Sequence, residues 1–335
     1  MATIVKSAEE FDLKIGHLIE VSEVYAFLAC NEFLADVHFL VGNTNVKIPG
    51  HRIILAMSSW EFYNLFYGTE ELPPYLQMVP QHEQQATQVY RVTGVMPNIF
   101  QLFLRYCYTR TVTLLWEDVC ETFQLAVRFR MRHLHKLCVN FLRKSFTSEN
   151  ILQYLSNKIV IEHHYLINEG VCFIQEKAPS VLQNPLNHAD FLHLPLEVMQ
   201  RIIKLDELKI DEVDLFNQVM DWAKHHCLQR HLTATPVNLR RVMGDAIYDV
   251  RFPIMKHQAF LNILTDYPNI LNGEEIAEIN IIKTGGVEAS KSLRFPCKER
   301  SSTSTTLFAT GSEGWNIMES MRKCLDFVLC IKKKP

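Results

Sequence analysis

The sequence predicts an α+β domain followed by an all-α domain and a short irregular tail. Three observations lead there. Between residues 37 and 92, apolar residues alternate in short runs with the period of half-buried strands. From residue 147 to about residue 282 they recur at helical spacing. Beyond residue 283 the chain turns to stretches such as Ser301-Ser-Thr-Ser-Thr-Thr, which offer little to a packed core. The boundaries read as a leader over 1–21, a first domain over 22–146, a second over 147–282 and a tail over 283–335.

Taken in order, the first helix falls before residue 30, where Val24, Tyr25, Phe27 and Leu28 form an apolar stripe. Val37, Phe39 and Val41 then alternate as one strand, Val46 and Ile48 supply a second, and Gly42-Asn43 lies at the turn between them. Residues 53–66 read as one helix with Ala56, Trp60 and Tyr63 on a shared face and Gly68 placed to end it. Residues 70–85 read as a loop because of Pro73-Pro74 and a glutamine cluster, and Val89-Tyr90-Arg91-Val92 restores strand alternation. Residues 100–109 form a compact helix. Over 119–146, Phe123, Ala126, Val127, Leu134, Cys138 and Phe141 keep helical spacing around a positively charged connector at 128–132. The second domain opens with Thr147 or Ser148 as a helix cap. Further on, Phe216, Val219 and Ala223 mark a buried seam with Trp222 beside it.

Composition excludes several classes. At 335 residues the chain has length for two cores, and 48% apolar with 21% charged residues is the balance of a globular protein. A formal charge of -3 gives no general attraction to nucleic acid or to anionic membrane. No apolar run approaches a membrane span, and Lys6, Glu9, Glu10 and Asp12 break any signal-peptide core. The nine cysteines are odd in number and lack a Cys-x-x-Cys pair, which implies free thiols in the cytosol or nucleus, with the cytoplasm preferred. Cys107, Cys138 and Cys172 read as small core hydrophobes. His225, His226, Cys227 and His231 lie along one helix and its end, a solvated terminus and not the two-element spacing of a zinc site, and His133 with His135 is weaker still. Phosphate-cradle, nucleophile-elbow and dinucleotide motifs do not occur, so neither cofactor, metal nor catalysis is expected.

Asn31-Glu-Phe-Leu-Ala-Asp-Val-His-Phe-Leu-Val-Gly, Val46-Lys-Ile-Pro-Gly-His-Arg-Ile-Ile-Leu-Ala-Met-Ser-Ser and Phe62-Tyr-Asn-Leu-Phe-Tyr-Gly together resemble the opening of a BTB/POZ domain. Phe100-Gln-Leu-Phe-Leu-Arg-Tyr-Cys-Tyr-Thr resembles its core. Leu194-Pro-Leu-Glu-Val-Met-Gln-Arg-Ile-Ile, Asp214-Leu-Phe-Asn-Gln-Val-Met-Asp-Trp-Ala and Arg251-Phe-Pro-Ile-Met resemble the BACK domain that follows BTB in cullin adaptors. Leu293-Arg-Phe-Pro-Cys-Lys-Glu-Arg, Trp315 and Leu325-Asp-Phe-Val-Leu-Cys-Ile resemble the start of a PHR β-sandwich, whose remainder the chain lacks. The alternative for residues 283–314 is a disordered Ser/Thr-rich tail, and 325–331 is expected to rest against the second domain.

The resemblance implies an α+β BTB/POZ domain, an all-α BACK domain and an assembly role without catalysis. It implies a homodimer through Val24, Tyr25, Leu28, Asp36 and Arg52, with Asp36 and Arg52 brought together in a pocket; the alternative is that both charges point to water. It implies cullin-3 contact through Phe66, Tyr67, Tyr106, Tyr108 and Phe129. Phe66 and Tyr106 have an equal reading as core. The hydrophobic-x-Glu tripeptide that such proteins carry after the glycine is absent; Thr69-Glu-Glu-Leu-Pro-Pro and an insertion over 71–86 stand there instead. The roles that follow are a dimeric adaptor joining cullin-3 ligase to an unidentified substrate protein, a regulator forming mixed dimers with related BTB proteins, or a nuclear corepressor. Zinc fingers and a long basic stretch, which the last would use, are not found.

Overall fold

The computed structural model describes residues 20–80, 87–284 and 294–300. Its first helix is α1 (Val21–Leu28). β1 (Val37–Val41) buries Val37, Phe39 and Val41 completely, because the pleat puts alternate residues on one face. β2 (Val46–Gly50) pairs with it antiparallel, Phe39 opposite Ile48. Gly42 opens the turn at φ 70°, a conformation glycine adopts without strain.

Residues 53–66 are two helices and not one. α2 (Arg52–Ser58) ends at Ser59, whose backbone is extended at φ −151° and ψ 136°, and α3 (Trp60–Tyr67) begins beyond it. Ser59 accepts the Glu61 amide on Oγ at 3.1 Å and donates to the Phe129 carbonyl at 2.7 Å. The break is thus capped on one side and bonded to the core on the other. Gly68 ends α3 for a steric reason: a Cβ there would sit 1.9 Å from Asn64 Oδ1 and 2.5 Å from its carbonyl oxygen.

A strand also stands where the sequence reads a loop. β3 (Leu76–Met78) pairs antiparallel with β4 (Gln88–Val92), Leu76 opposite Val92 and Met78 opposite Tyr90. Three residues are too few for alternation to register in sequence. The four strands take the order β2-β1-β4-β3, with β1 and β4 parallel at the centre. A parallel neighbour needs a crossover, which α2 and α3 provide.

α4 (Pro97–Thr109) starts on a proline, whose missing N–H costs nothing at a first turn, and buries Ile99, Phe100, Phe103 and Leu104. α5 (Val119–Arg128) and α6 (Arg132–Ser145) follow. Phe123, Ala126, Leu134 and Cys138 are buried there, whereas Val127 is exposed. Leu125 and Ala126 face the core together, and Val127, a further turn of about 100° round the helix, falls past its edge.

The second domain is helical: α7 (Ile151–Leu155), α8 (Lys158–Glu162), α9 (His164–Leu182), α10 (His188–Leu192), α11 (Leu196–Ile203), α12 (Glu212–Gln229), α13 (Pro236–Met243), α14 (His257–Asp266) and α15 (Gly273–Lys283). Thr147 Oγ1 accepts the Asn150 amide at 3.2 Å while Asn150 Oδ1 accepts that of Thr147 at 2.9 Å, a reciprocal pair closing the turn before α7, whose own N-cap is Asn150 and not Thr147 or Ser148. Phe216, Val219 and Ala223 are fully buried, and so is Trp222, whose indole N–H donates to the Leu194 carbonyl at 2.8 Å. Two sequence readings change here. Cys172 is exposed while Cys107 and Cys138 are buried. His226 is half-buried against Trp222, ring centroids 4.2 Å apart, and not solvated.

The tail reading changes over its described part. Residues 294–300 pack on the second domain, with Phe295 buried. The expectations for Trp315, 301–306 and 325–331 lie outside the described residues.

Candidate interaction surface

Two surfaces of the first domain present residues that a soluble core would ordinarily hide. The first is α1. None of its residues is buried; Val24 and Leu28 are half-buried, and Val21 and Tyr25 are exposed. Close to the sheet, the Asp36 carboxylate accepts the Arg52 amide at 2.8 Å and the Arg52 Nε–H at 3.0 Å, so it both pairs the guanidinium and serves the first turn of α2. The structure therefore brings Asp36 and Arg52 together. At 40% and 28% side-chain exposure the pair is open to water in the single chain, which makes its own contribution modest.

The second surface is the outer face of α3. Phe62, Leu65 and Phe66 turn inward. Trp60, Tyr63 and Tyr67 turn outward and are 56%, 46% and 53% exposed. Their rings follow one another, Trp60 stacked on Tyr63 with centroids 5.5 Å apart and Tyr63 tilted against Tyr67 at 5.8 Å. Ile53 and Met57 on α2 are also exposed. A contiguous stripe of this kind, flanked by the Glu61–Arg130 ion pair at 2.5 Å, is the composition of a protein-binding surface. The Asn64 amide donates to Glu70 at 3.1 Å and ties the following loop to the same helix.

Of the residues expected to touch cullin-3, Tyr67 belongs to this surface. Phe66, Tyr106, Tyr108 and Phe129 are core in this fold, with Phe129 wholly enclosed. The Phe129 ring lies 4.5 Å from that of Phe62, 4.9 Å from Phe103 and 6.1 Å from Tyr75. The Tyr108 hydroxyl is held by the His51 amide and Nδ1, both at 2.8 Å, and burial pushes its pKa up. The Tyr106 hydroxyl meets His133 Nδ1 at 2.8 Å. Trp60 and Tyr63, which the spacing set on one helix face with Ala56 and without a contact role, join Tyr67 on this surface. The Ser58-Ser59 pair was the available signal, since a cap there resets the helical register and separates 60, 63 and 67 from 62, 65 and 66.

Among the described residues, no group of three or more His, Cys, Asp or Glu side chains is placed to hold a metal ion. No helix among them is long and apolar enough to cross a membrane.

The fold and its surfaces thus describe a module for binding other proteins. The BTB/POZ domain family matches residues 27–146, and the family described as BTB And C-terminal Kelch (BACK) matches residues 164–265. The chain carries a BTB domain of α/β fold followed by a helical BACK domain. It is homologous to BTB/POZ domain-containing proteins 6 and 3. The Xenopus tropicalis protein 6 is 30% identical over 277 residues, which are 82% of this chain and 49% of that protein. The Homo sapiens protein 3 is 28% identical over 244 residues, 72% of this chain and 44% of the relative. The chain therefore spans about half the length of the curated relatives it matches. Among solved structures, the BTB domain of zebrafish PATZ1 aligns over 37% of this chain and 92% of its own, with 20% identity and a TM-score of 0.28.

Proposed function

We propose that this chain is a non-catalytic, dimeric adaptor that joins a cullin-3 ubiquitin ligase to a substrate protein. The observation that carries the reading is the doubly aromatic α3. Its inner aromatics suffice for the core, so Trp60, Tyr63 and Tyr67 have no folding role that requires them and are suited to a partner. They stand beside the loop after Gly68, the region through which similar BTB domains meet cullin-3. Tyr67 is the cullin contact retained from the residues that the resemblance implies; Phe66 and Phe129 pack on the inner ring of Phe62, and Tyr106 and Tyr108 are buried elsewhere in the core. Dimer formation uses Val24, Tyr25 and Leu28 of the unburied α1, with Asp36 and Arg52 at its margin. The free thiols of Cys30, Cys107, Cys120, Cys138, Cys172, Cys227 and Cys297 suit a reducing compartment such as the cytoplasm.

The test is binding of the full chain to the N-terminal region of cullin-3, with light scattering in parallel. Trp60→Ala and Tyr67→Ala should each weaken binding about tenfold or more, the scale of an interface hot spot, without altering the melting temperature. Asp36→Asn should shift the dimer toward monomer and leave the monomer folded. A wild-type chain that fails to bind cullin-3 at micromolar concentration ends the ligase reading; one that stays monomeric there ends the dimer.

A further inference from the structure

The BACK family match ends at residue 265 and α15 ends at Lys283, yet residues 294–300 are built into the second domain. Two side chains of the segment enter it. Phe295 is 1% exposed, its ring 5.5 Å from Tyr248 and 5.7 Å from Phe252. Arg300, five positions on, has a side chain only 3% exposed and meets Glu212, itself 5% exposed, at the first turn of α12. Arg300 Nε donates to Glu212 Oε2 at 2.8 Å and Nη2 donates to Oε1 at 3.1 Å, while Nη1 donates to the Leu205 carbonyl.

Between these anchors the segment is held by its backbone. The buried Arg251 guanidinium donates through Nη1 to the Lys298 carbonyl at 2.8 Å and through Nη2 to Asp206. Lys298 lies 3.6 Å from the same Asp206 carboxylate. At the near end, the Arg294 amide donates to Glu278 at 2.6 Å and its guanidinium lies 3.5 Å from Glu274. Cys297, Lys298 and Glu299 otherwise face solvent. Two buried anchors, a recognised main-chain carbonyl and exposed residues between them are how a bound peptide sits in a groove. Glu212 needs the occupant: besides Arg300 it accepts the Arg251 amide at 2.8 Å, and a buried carboxylate without a cation is costly.

We propose that the BACK domain contains a peptide-binding groove selective for a phenylalanine followed five residues later by an arginine, and that the chain fills it in cis with residues 294–300. Tyr248 and Phe252 form the aromatic subsite, Glu212 the cationic one, and Arg251 reads the backbone between them. The cis segment thereby fixes where the polypeptide leaves the domain, and its release exposes a site of defined specificity.

The experiment keeps the full chain and makes the segment separable. A specific protease site is introduced within 286–292, the purified protein is cut, and retention of the C-terminal fragment is followed by size exclusion and thermal melting. The wild-type fragment should remain with the body, and excess synthetic peptide of residues 294–300 should displace it. Phe295→Ala or Arg300→Ala should weaken retention at least tenfold, and Arg300→Lys, which keeps the charge but loses the paired bonds, should fall between. Because the substitutions reside in the fragment, the uncut proteins report separately whether each variant folds. Immediate loss of the wild-type fragment with unchanged melting of the body overturns the proposal. So does retention that neither substitution nor competing peptide alters.

Discussion

Replacing Phe129 with alanine separates the two roles that its position allows. The ring is fully enclosed by Phe62, Phe103 and Tyr75. Phenylalanine buries roughly 150–250 Å², and at about 25 cal/mol per Å² its removal forfeits about 4–6 kcal/mol at the upper bound. Core Phe→Ala changes generally cost about 3–5 kcal/mol once partial collapse of the cavity is included. The Ser59 bond to the Phe129 carbonyl is a main-chain contact and survives the change. A loss of about 4 kcal/mol is therefore expected. Tyr67→Ala removes a ring that is about half in water and should stay within about 0.5 kcal/mol of wild type. Urea unfolding followed through the BTB transition measures both, and an unchanged slope for Tyr67→Ala would show that the unfolded state is unaffected. If Phe129→Ala costs less than about 1 kcal/mol, well below the core range, its burial is misassigned and the packing argument for α3 fails with it.

Two further predictions concern stability. Glu275 is fully buried and accepts Arg240 Nη2 at 2.6 Å, the Tyr248 hydroxyl at 2.9 Å and the Asn272 amide at 2.9 Å. Glu275→Ala leaves the partly buried Arg240 without its carboxylate and should cost about 3–5 kcal/mol, seen as early melting of the BACK domain; a loss under 1 kcal/mol would contradict it. Stability should also fall as the solution is acidified. Burial lowers the pKa of His135, His163 and His226, aided by repulsion from His163, Arg128 and His225 respectively. Their unfolded states therefore take up protons first, from about pH 6.5 downward, and the stabilisation present above that pH is progressively lost below it. His135→Gln together with His163→Gln should flatten the melting temperature between pH 7.5 and 5.5, and a wild-type curve already flat over that range would count against the assignment.

The second domain shows how much a single chemical type can reveal. Phe216, Val219 and Ala223 lie in one buried seam where their helical spacing placed them, and Trp222, read as lying beside it, is fully buried too. The same holds for Val37, Phe39 and Val41, where alternation marks the fully enclosed face, although His38 between them is buried as well. The order of a small sheet, a helical pair and a helical domain was legible for that reason, as was the resemblance carried by those segments.

Tertiary structure decided the rest wherever local pattern was silent or two-sided. α3 is aromatic on both faces, so periodicity could not say whether Phe66 or Tyr67 was core; the rings of Phe62, Tyr90 and Phe129 decided it by enclosing one side. β3 is three residues long, and its existence depends on backbone bonds to β4. Arg300 closes in sequence the motif that resembles the start of a β-sandwich, and its burial follows from a carboxylate 88 positions earlier in the chain. Which segments are amphipathic, and hence the class of fold, can be read along the chain because that property is local. Which partner covers each face depends on contacts between distant residues, and the folded chain alone brings those together.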